Sequence, residues 1–336
     1  MQINDELLRK IQPTPESCIG DSLNFNEKGY TAFPIASQNF REFSSIDSIS
    51  KIAFVDGGSA EIIALPNKLL SIIRVYYSIY QNKKKISSRK TQFYALITLD
   101  SGTIRTDLLQ NEVLDEKDFV FSAQDPRIKG ELSKVVDLIR RNAELKYAFD
   151  ACEKLDGADI VILDGTLQSF FLVEQKNLEE LYNFAAAKGV FVTALSKTTS
   201  LTTKKGLPLT PNLLRIAPEG LWYYYPIAKI ENENHLAELF FAKLHPKSEY
   251  VFRIEIYKGT PFAIEMILGA LASNSKDPTF IGYPFGLIEA DQFARVSDSE
   301  REILKMQHLV KLGKSANEII LDRHAIDAHD VLDNRK

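Results

Sequence analysis

The sequence has no excess of positive charge. Its 336 residues include 41 lysines and arginines against 45 aspartates and glutamates, which gives a net charge of −4. A protein that holds nucleic acid through its overall charge is therefore not expected, although a local basic groove stays open as an alternative. Glycine and proline are not enriched, at 16 and 13 residues, which excludes a collagen-like or largely disordered chain. The absence of a Gly-x-x-x-x-Gly-Lys-Ser/Thr motif excludes a P-loop enzyme.

Cysteine is nearly absent as well. Cys18 and Cys152 lie far apart, and two thiols form neither a disulfide framework nor a zinc site. A reducing, cytoplasmic location is the expectation that follows. No apolar run approaches the ~18 residues that cross a bilayer, and the first residues lack the basic and apolar regions of a signal peptide. We expect a cytoplasmic protein without a membrane partner.

Short apolar runs alternate with amphipathic segments along the chain, which is typical of an α/β protein. The predicted strands are 51–56, 70–80, 91–99, 158–164, 189–196, 221–230, 237–244 and 250–257, and the predicted helices are 126–155, 174–188, 260–273 and 288–313. The strand–helix–strand order between 158 and 196 predicts parallel pairing in part of the sheet. A loop is predicted for the proline-containing residues 198–220.

The same patterns suggest how the chain is divided. We expect a main domain over 49–313, with an inserted hairpin and loop region at about 198–248. Residues 1–48 are interpreted as an extension packed on this domain, and residues 314–336 as a C-terminal tail. The tail holds His324 and His329, whose spacing is not that of a helical metal motif and fits an interaction segment instead.

Two predicted strands end in an aspartate that is followed by glycine. Asp56 precedes Gly57 and Gly58, and Asp164 precedes Gly165. Ligands of open α/β sheets bind beyond the carboxyl ends of the strands, so both carboxylates are expected where chemistry takes place. The alternative is that each Asp-Gly pair forms only a tight turn.

A third acid is predicted to face the sheet from the helix 126–155. In the second half of this helix the apolar stripe runs through Ala148, Ala151 and Leu155, and Glu144 lies on the same face. A carboxylate in such a position is costly unless it is paired or bound to a metal. The alternative is that the helix ends earlier and that Glu144 is solvated.

Three converging carboxylates suit a hard divalent cation, which prefers oxygen ligands. Two such ions about 4 Å apart can stabilise both the attacking and the leaving oxygen in phosphodiester cleavage. Asp56, Glu144 and Asp164 are therefore predicted to form a metal-dependent catalytic site.

Basic and aromatic residues add candidate contacts to DNA. Lys197 follows the strand 189–196, at the edge expected for Asp164, where it could hold a phosphate. Arg253 alternates with apolar neighbours in a strand, and Tyr283 could stack on a base. Arg295 and Asp291 lie in the last predicted helix, the second as a further candidate ligand. For each of these residues, surface charge or a place in the core is the alternative.

Six segments, in this order, resemble the NurA family of archaeal and bacterial nucleases. They are FVDGGSA (54–60), RRNAELKYA (140–148), DIVILDGTL (159–167), TALSKTTSL (193–201), FAKLHPKSEYVFRIEI (241–256) and GYPFGLIEADQFARV (282–296). The resemblance runs from about residue 50 to the C-terminus, and the first 48 residues carry little of it.

The resemblance implies an RNase H-like core, with a mixed β-sheet flanked by helices, and a DNA nuclease that uses Mn²⁺ or Mg²⁺, with two ions. The family is associated with single-stranded endonuclease activity and with 5′ to 3′ exonuclease activity in the resection of double-strand breaks. It also implies a homodimer that works with HerA, a hexameric ATP-driven DNA translocase. These roles would belong to the cytoplasm.

The family motifs imply roles for individual residues of this sequence. Asp56 and Asp164 match the acids at the two strand ends, and Glu144 matches the helical glutamate. Asp291 matches the acid of the late helix, and Lys197 a lysine of the motif. Asp56, Glu144, Asp164 and Asp291 are thus the predicted metal ligands, and Lys197 joins the first three as a catalytic residue.

Two other functions stay open at this stage. An actin- or sugar-kinase-like phosphotransferase would use the two Asp-Gly segments as phosphate loops, but residues 257–290 offer few glycines for the adenosine site that such an enzyme needs. A non-catalytic DNA clamp for a motor would keep the basic and aromatic residues, but it would not need three converging acids.

Overall fold

The computed structural model of the chain describes residues 17–25, 27–47, 50–261 and 264–313. Its strands are β1 (Tyr30–Ala32), β2 (Phe40–Glu42), β3 (Ile52–Leu65), β4 (Lys68–Gln81), β5 (Lys84–Asp100), β6 (Thr103–Leu109), β7 (Phe121–Ser122), β8 (Ile160–Asp164), β9 (Phe191–Ser196), β10 (Trp222–Tyr224), β11 (Ala228–Ile230), β12 (Ala237–Lys243) and β13 (Phe252–Tyr257). Its α-helices are α1 (Leu132–Glu153), α2 (Leu172–Lys188), α3 (Leu209–Ile216), α4 (Ile264–Ser273), α5 (Phe285–Ala294) and α6 (Asp298–Leu312). The tail 314–336, with His324 and His329, lies outside the described residues.

One mixed sheet organises the described part of the chain. Its eleven strands follow the order β2-β10-β12-β13-β9-β8-β3-β4-β5-β6-β7. The strands β3, β4 and β5 are antiparallel neighbours, whereas β8 pairs in parallel with both β3 and β9. The parallel pairing predicted for 158–196 is therefore confirmed. The central order β5-β4-β3-β8-β9 is the arrangement of an RNase H-like core.

Two apolar layers cover the faces of this sheet. Val55 belongs to the core that α1 and α2 close, whereas its neighbour Phe54 belongs to the core that α4 and α5 close. This alternation is the consequence of the two-residue period of a strand, in which successive side chains point to opposite faces. The predicted α/β class, with helices on both sides of a mixed sheet, is confirmed.

The central strand β3 is longer than the sequence pattern suggests. It continues to Leu65, so the prediction that Asp56 ends a strand is wrong, and Asp56 lies in the strand interior. Gly57 and Gly58 make no turn here. A Cβ atom at residue 57 would lie 2.7 Å from Glu144 Oε1 on α1, and one at residue 58 would lie 2.4 Å from the carbonyl oxygen of Ala294 on α5. The two glycines thus let a helix approach each face of β3.

Several helix bounds also differ from the predictions. Helix α1 begins at Leu132 instead of 126, because Lys129 and Gly130 adopt positive φ angles of 53° and 73° that no helix continues through. The region 198–220 is not a loop throughout, since it contains α3. The predicted helix 288–313 is divided into α5 and α6, and the hydroxyl oxygen of Ser297 caps α6 by accepting a hydrogen bond from Glu300 N at 3.1 Å.

The N-terminal extension contributes strands of its own in its described residues. Strand β1 pairs with β11, and β2 pairs with β10 at the edge of the large sheet. The predicted strands 237–244 and 250–257 are confirmed as β12 and β13, which pair antiparallel. Among the described helices, none is both long enough and apolar enough to cross a bilayer.

The close contact at Gly58 leads to a stability prediction. Gly58→Ala would force its Cβ into the main chain of α5, which cannot move away as a flexible side chain would. We expect a loss of about 2–3 kcal/mol in the free energy of unfolding, measured by denaturant titration. The control is Gly220→Ala, at a φ of +89° but with open space around it, for which backbone strain of about 1 kcal/mol is expected. Equal losses for the two variants would contradict the close approach.

Candidate active site

Three carboxylates from different elements meet at one edge of the sheet. Asp56 comes from β3, Asp164 is the last residue of β8, and Asp291 lies in α5. One oxygen of each lies within 4.8 Å of the others. The register explains the first pair, because the parallel strands pair Val55 with Leu163 and the next residue of each strand is the aspartate. After Asp164 the chain leaves the sheet through Gly165, at a φ of +112°.

The cluster is electrostatically strained without a cation. Asp56 is only 7% exposed, and its Oδ1 accepts a hydrogen bond from Gly57 N at 2.7 Å. Burial, together with the charges of Asp164 and Glu144, raises the pKa of Asp56 to about 8, against the opposing effect of Lys197. A bound cation would remove this cause of protonation, because its charge offsets the repulsion between the carboxylates.

Lys197 provides the positive charge that the cluster contains. Its Nζ lies 2.7 Å from Asp164 Oδ2 and 2.8 Å from Asp291 Oδ1. Burial lowers the pKa of Lys197, but the contacts with these two carboxylates and the charge of Asp56 outweigh it. The pKa of Lys197 is therefore raised above its usual range. The predicted placement of Lys197 at the same edge as Asp164 is therefore confirmed, while its catalytic role stays a prediction.

Glu144 is buried as predicted, but it stands apart from the three aspartates. Its carboxylate lies against Gly57, on the face of β3 that packs on α1, whereas Asp56 shares the face of Phe54. Glu144 forms ion pairs with Arg140 and, at 3.4 Å, with Arg141. Burial raises the pKa of Glu144, and the two guanidinium groups act in the opposite direction.

Arg140 and Arg141 are site residues that the sequence interpretation passed over. Arg141 donates a hydrogen bond to the carbonyl oxygen of Thr166, two residues beyond Asp164, and so links α1 to the turn after β8. Arg140 Nη1 lies 3.4 Å from the carbonyl oxygen of Gly57. Their spacing of four and three residues before a buried glutamate in a helix is the signal that could have identified both.

The residues predicted to contact DNA lie in different environments. Arg295 is exposed at the end of α5, but Tyr283 is fully buried, and its ring stacks on Phe280 at a centroid distance of 5.1 Å. Because no face of the ring is free, the interpretation of Tyr283 as a base-stacking residue does not fit this structure. Lys197 Nζ lies 5.5 Å from the ring centre of Tyr283, so this tyrosine supports the lysine instead.

Arg253 belongs to a buried polar network. Its Nε donates to Glu255 Oε1 at 2.7 Å, and Glu255 is fully buried. Burial raises the pKa of Glu255, but the charge of Arg253 and the contact with His235 outweigh it and lower the pKa to about 2. Glu255 Oε2 accepts a hydrogen bond from Leu167 N at 2.6 Å, three residues after Asp164. This network therefore anchors the turn that follows Asp164, which is a role different from the DNA contact predicted for Arg253.

A cleft of about 570 Å³ lies beside Glu144 and Asp164, between α1 and the segment 164–171. We refer to it as the α1 cleft. Glu144 and Asp164 are part of its lining, together with the apolar side chains of Leu138, Phe170 and Phe171. Asp164 thus belongs both to the carboxylate cluster and to the lining of a space large enough for a small organic group.

The donor set fits a hard divalent cation. All three clustered side chains offer carboxylate oxygens, the ligands that Mg²⁺ and Mn²⁺ prefer, and neither histidine nor cysteine is part of the described cluster. The raised pKa of Asp56 is the second indication, since the arrangement is unfavourable for three charged carboxylates alone.

Comparisons with known proteins identify a family and a fold for the chain. The family model of the NurA domain matches residues 50–296. The crystal structure of the NurA nuclease from Sulfolobus solfataricus is similar with a TM-score of 0.56 and 16% identity, over 83% of this chain and 88% of that one. This likeness confirms the RNase H-like fold. No curated protein sequence matches the chain.

Two endonuclease V structures are more distant. That of Ciona intestinalis, in complex with a 24mer DNA containing an inosine, has a TM-score of 0.39 and 13% identity over 75% of this chain and 87% of that one. The human catalytic domain has a TM-score of 0.38 and 10% identity over 80% and 92%. Both scores are too low to support a shared function. Because the family model covers well over half of the sequence, the chain belongs to the NurA family.

Proposed function

We propose that this protein is a divalent-metal-dependent DNA nuclease, which hydrolyses phosphodiester bonds at the cluster of Asp56, Asp164 and Asp291. The observation that carries the proposal is the convergence of these three carboxylates within 4.8 Å in a chain of the NurA family. Mn²⁺ or Mg²⁺ bound there would supply positive charge at the scissile phosphate and lower the pKa of water.

The side chains around the cluster have distinct proposed roles. Asp56, Asp164 and Asp291 would hold one cation, and Glu144, which is paired with Arg140 and Arg141, would be a ligand of a second ion if those pairs opened. Lys197 lies within ion-pair distance of both Asp164 and Asp291, so its ammonium group can contact a phosphate held by a cation at these two carboxylates. Arg295, exposed at the end of α5, is proposed to contact the DNA backbone.

The finer functional proposals follow from the family. We propose single-stranded endonuclease and 5′ to 3′ exonuclease activity in the resection of double-strand breaks, together with a HerA-type hexameric translocase. We also propose a homodimer. Helix α6 supports it with an exposed apolar face formed by Ile303, Met306 and Val310, three residues with helical spacing.

Of the two alternative functions, the structure argues against the phosphotransferase and leaves the non-catalytic DNA clamp to be tested. The kinase-like phosphotransferase would need Asp56, Gly57 and Gly58 as a phosphate loop, but these residues lie inside β3. A non-catalytic DNA clamp would bind DNA without needing the buried charge of Asp56, so substitution of this residue separates the clamp from the nuclease.

The nuclease proposal predicts loss of cleavage when the cluster is changed. With Mn²⁺ or Mg²⁺, the wild type should cut end-labelled DNA, and EDTA or Asp56→Asn should reduce the rate at least 100-fold, because the charge at the transition state is no longer stabilised. Asp107→Asn, which removes an exposed acid on β6, should cut at the wild-type rate. The position of the label reports strand polarity. A folded Asp56→Asn variant with full activity would contradict the proposal.

The raised pKa of Asp56 predicts that the metal-free protein becomes less stable as the pH rises, and that removal of this carboxylate stabilises it. Between pH 3.8, its ordinary value, and pH 8, the folded state binds this proton more tightly than the unfolded state, so stability falls as the pH rises. In EDTA at pH 8, Asp56→Asn should therefore melt about 2 °C or more above the wild type, with no such gain near pH 4.

With added Mn²⁺ at pH 8, the wild type should melt at a higher temperature than Asp56→Asn. The cation stabilises the wild type by binding the folded state, and it should have much less effect on the variant. Differential scanning calorimetry measures both differences. A variant less stable than the wild type in EDTA at pH 8 would show that repulsion within the cluster is not a cost of folding.

The homodimer proposal predicts sensitivity at α6. Val310 is 74% exposed in the single chain, and Val310→Glu would place an unpaired charge in the proposed interface. We expect light scattering to give the mass of two chains for the wild type and at least tenfold weaker association for the variant. Gln124→Glu adds the same charge at an exposed site before α1 and should remain dimeric. A monomeric wild type at micromolar concentration would exclude the dimer.

A further inference from the structure

The exposed residue Phe170 lines the α1 cleft on a segment whose backbone is held in place. Its side chain is 54% exposed, yet its backbone is fixed on both sides. Glu174 Oε2 accepts hydrogen bonds from the N–H groups of Phe170 at 2.8 Å and Phe171 at 3.0 Å. Arg127 Nη1 donates to the carbonyl oxygen of Phe170 at 2.8 Å. An aromatic ring presented on such a fixed backbone can bind a partner at a low cost in conformational entropy.

The segment before Phe170 is fixed as well. Gly165 N donates to the carbonyl oxygen of Leu195 at 3.0 Å, and Ser169 N donates to that of Asn234 at 2.9 Å. Together with the hydrogen bond between Leu167 N and Glu255, these contacts connect Asp164 to Phe170 through a segment anchored at several points. The distance between the catalytic acid and the exposed ring is therefore set by the fold.

The charges of the cleft argue against a chain of phosphates as its occupant. Four basic side chains line it, but four acidic side chains balance them, namely Arg127, Lys134, Arg140 and Arg141 against Asp137, Glu144, Asp164 and Glu174. Arg127 is already engaged, since it pairs with Asp125 at 2.6 Å and lies over the ring of Phe171 at 4.3 Å. A neutral, planar and partly polar group suits this environment better than a polyanion.

We propose that the α1 cleft binds the unpaired base of a nucleotide next to the scissile phosphate, stacked on Phe170. The inference rests on the proposed nuclease function, because the cleft is continuous with Asp164 and Glu144. Every base offers a π-face, so this binding is largely independent of sequence. A base in a duplex would have to leave its stack first, so the cleft selects single strands or frayed ends.

The test uses single-stranded oligonucleotides in which one nucleotide is replaced by an abasic tetrahydrofuran residue. With Mn²⁺, the wild type should cut the bonds next to this residue about tenfold more slowly than the same bonds in the unmodified strand. The Phe170→Ala variant should cut the abasic and the unmodified oligonucleotide at rates that differ less than twofold. Leu172→Ala is the matched control, since Leu172 is 82% exposed beside Phe170 but does not line the cleft. It should keep the tenfold difference.

A binding measurement separates this proposal from the nuclease itself. Oligonucleotides that carry 2-aminopurine should lose fluorescence on binding to Asp56→Asn, and the loss should be absent in Asp56→Asn/Phe170→Ala. A tenfold difference that survives in Phe170→Ala, or unchanged quenching in the double variant, would overturn the base-binding cleft. A wild type that cuts no strand but quenches normally would refute the nuclease and leave the cleft in place.

Discussion

The site depends on the close approach of two helices to the middle of one strand. The main chain of α5 lies so close to Gly58 that a methyl group there would prevent the contact, and the Glu144 side chain of α1 fills the space that a methyl group at Gly57 would occupy. Helix α5 carries Asp291 to the face of Asp56, and α1 carries Glu144 to the opposite face. Two adjacent positions without side chains in a buried strand therefore leave room for Asp291 beside Asp56 on one face and for Glu144 on the other. Packing and chemistry are coupled at this point of the fold.

Electrostatic balance is the second constraint on the site. Like charges are brought together in a partly buried position, which raises the pKa of Asp56, and Lys197 compensates only part of this cost. On the other side of β3, two arginines neutralise Glu144. The two halves of the site thus have different counter-charges, an amine for the aspartates and guanidinium groups for the glutamate. Such tension between stability and function is common in enzymes.

Much of this arrangement could be predicted from the sequence. Apolar runs predicted the buried strands, and the helical period predicted that Glu144 lies on the buried face of α1, as it does. The prediction failed where tertiary contacts decide the outcome. Asp-Gly-Gly looks like a turn, and only the packing of α1 and α5 explains why these residues continue a strand instead. Local propensity cannot report such a contact, because the partners are distant in sequence.

The side-chain predictions show the same limit. Tyr283 and Arg253 carry groups that often bind nucleic acid, but burial in one case and a buried carboxylate in the other give them structural tasks. The pairing of Arg253 with Glu255 could have been suspected from the alternation of charged residues in β13. The link from Glu255 to Leu167 joins residues far apart in the sequence, which no local pattern indicates.

The buried network around Glu255 has a consequence for the boundaries of the protein. His235 Nε2 lies 3.1 Å from Glu255 Oε2, and its Nδ1 shares a hydrogen bond with the hydroxyl of Tyr30 at 2.9 Å. Tyr30 lies in the N-terminal extension, outside residues 50–296, which the family model matches. The support of Asp164 thus extends through Leu167, Glu255 and His235 into a segment with little family resemblance. A chain cut back to the residues that match the family model would therefore lack Tyr30, which is the hydrogen-bond partner of His235 Nδ1.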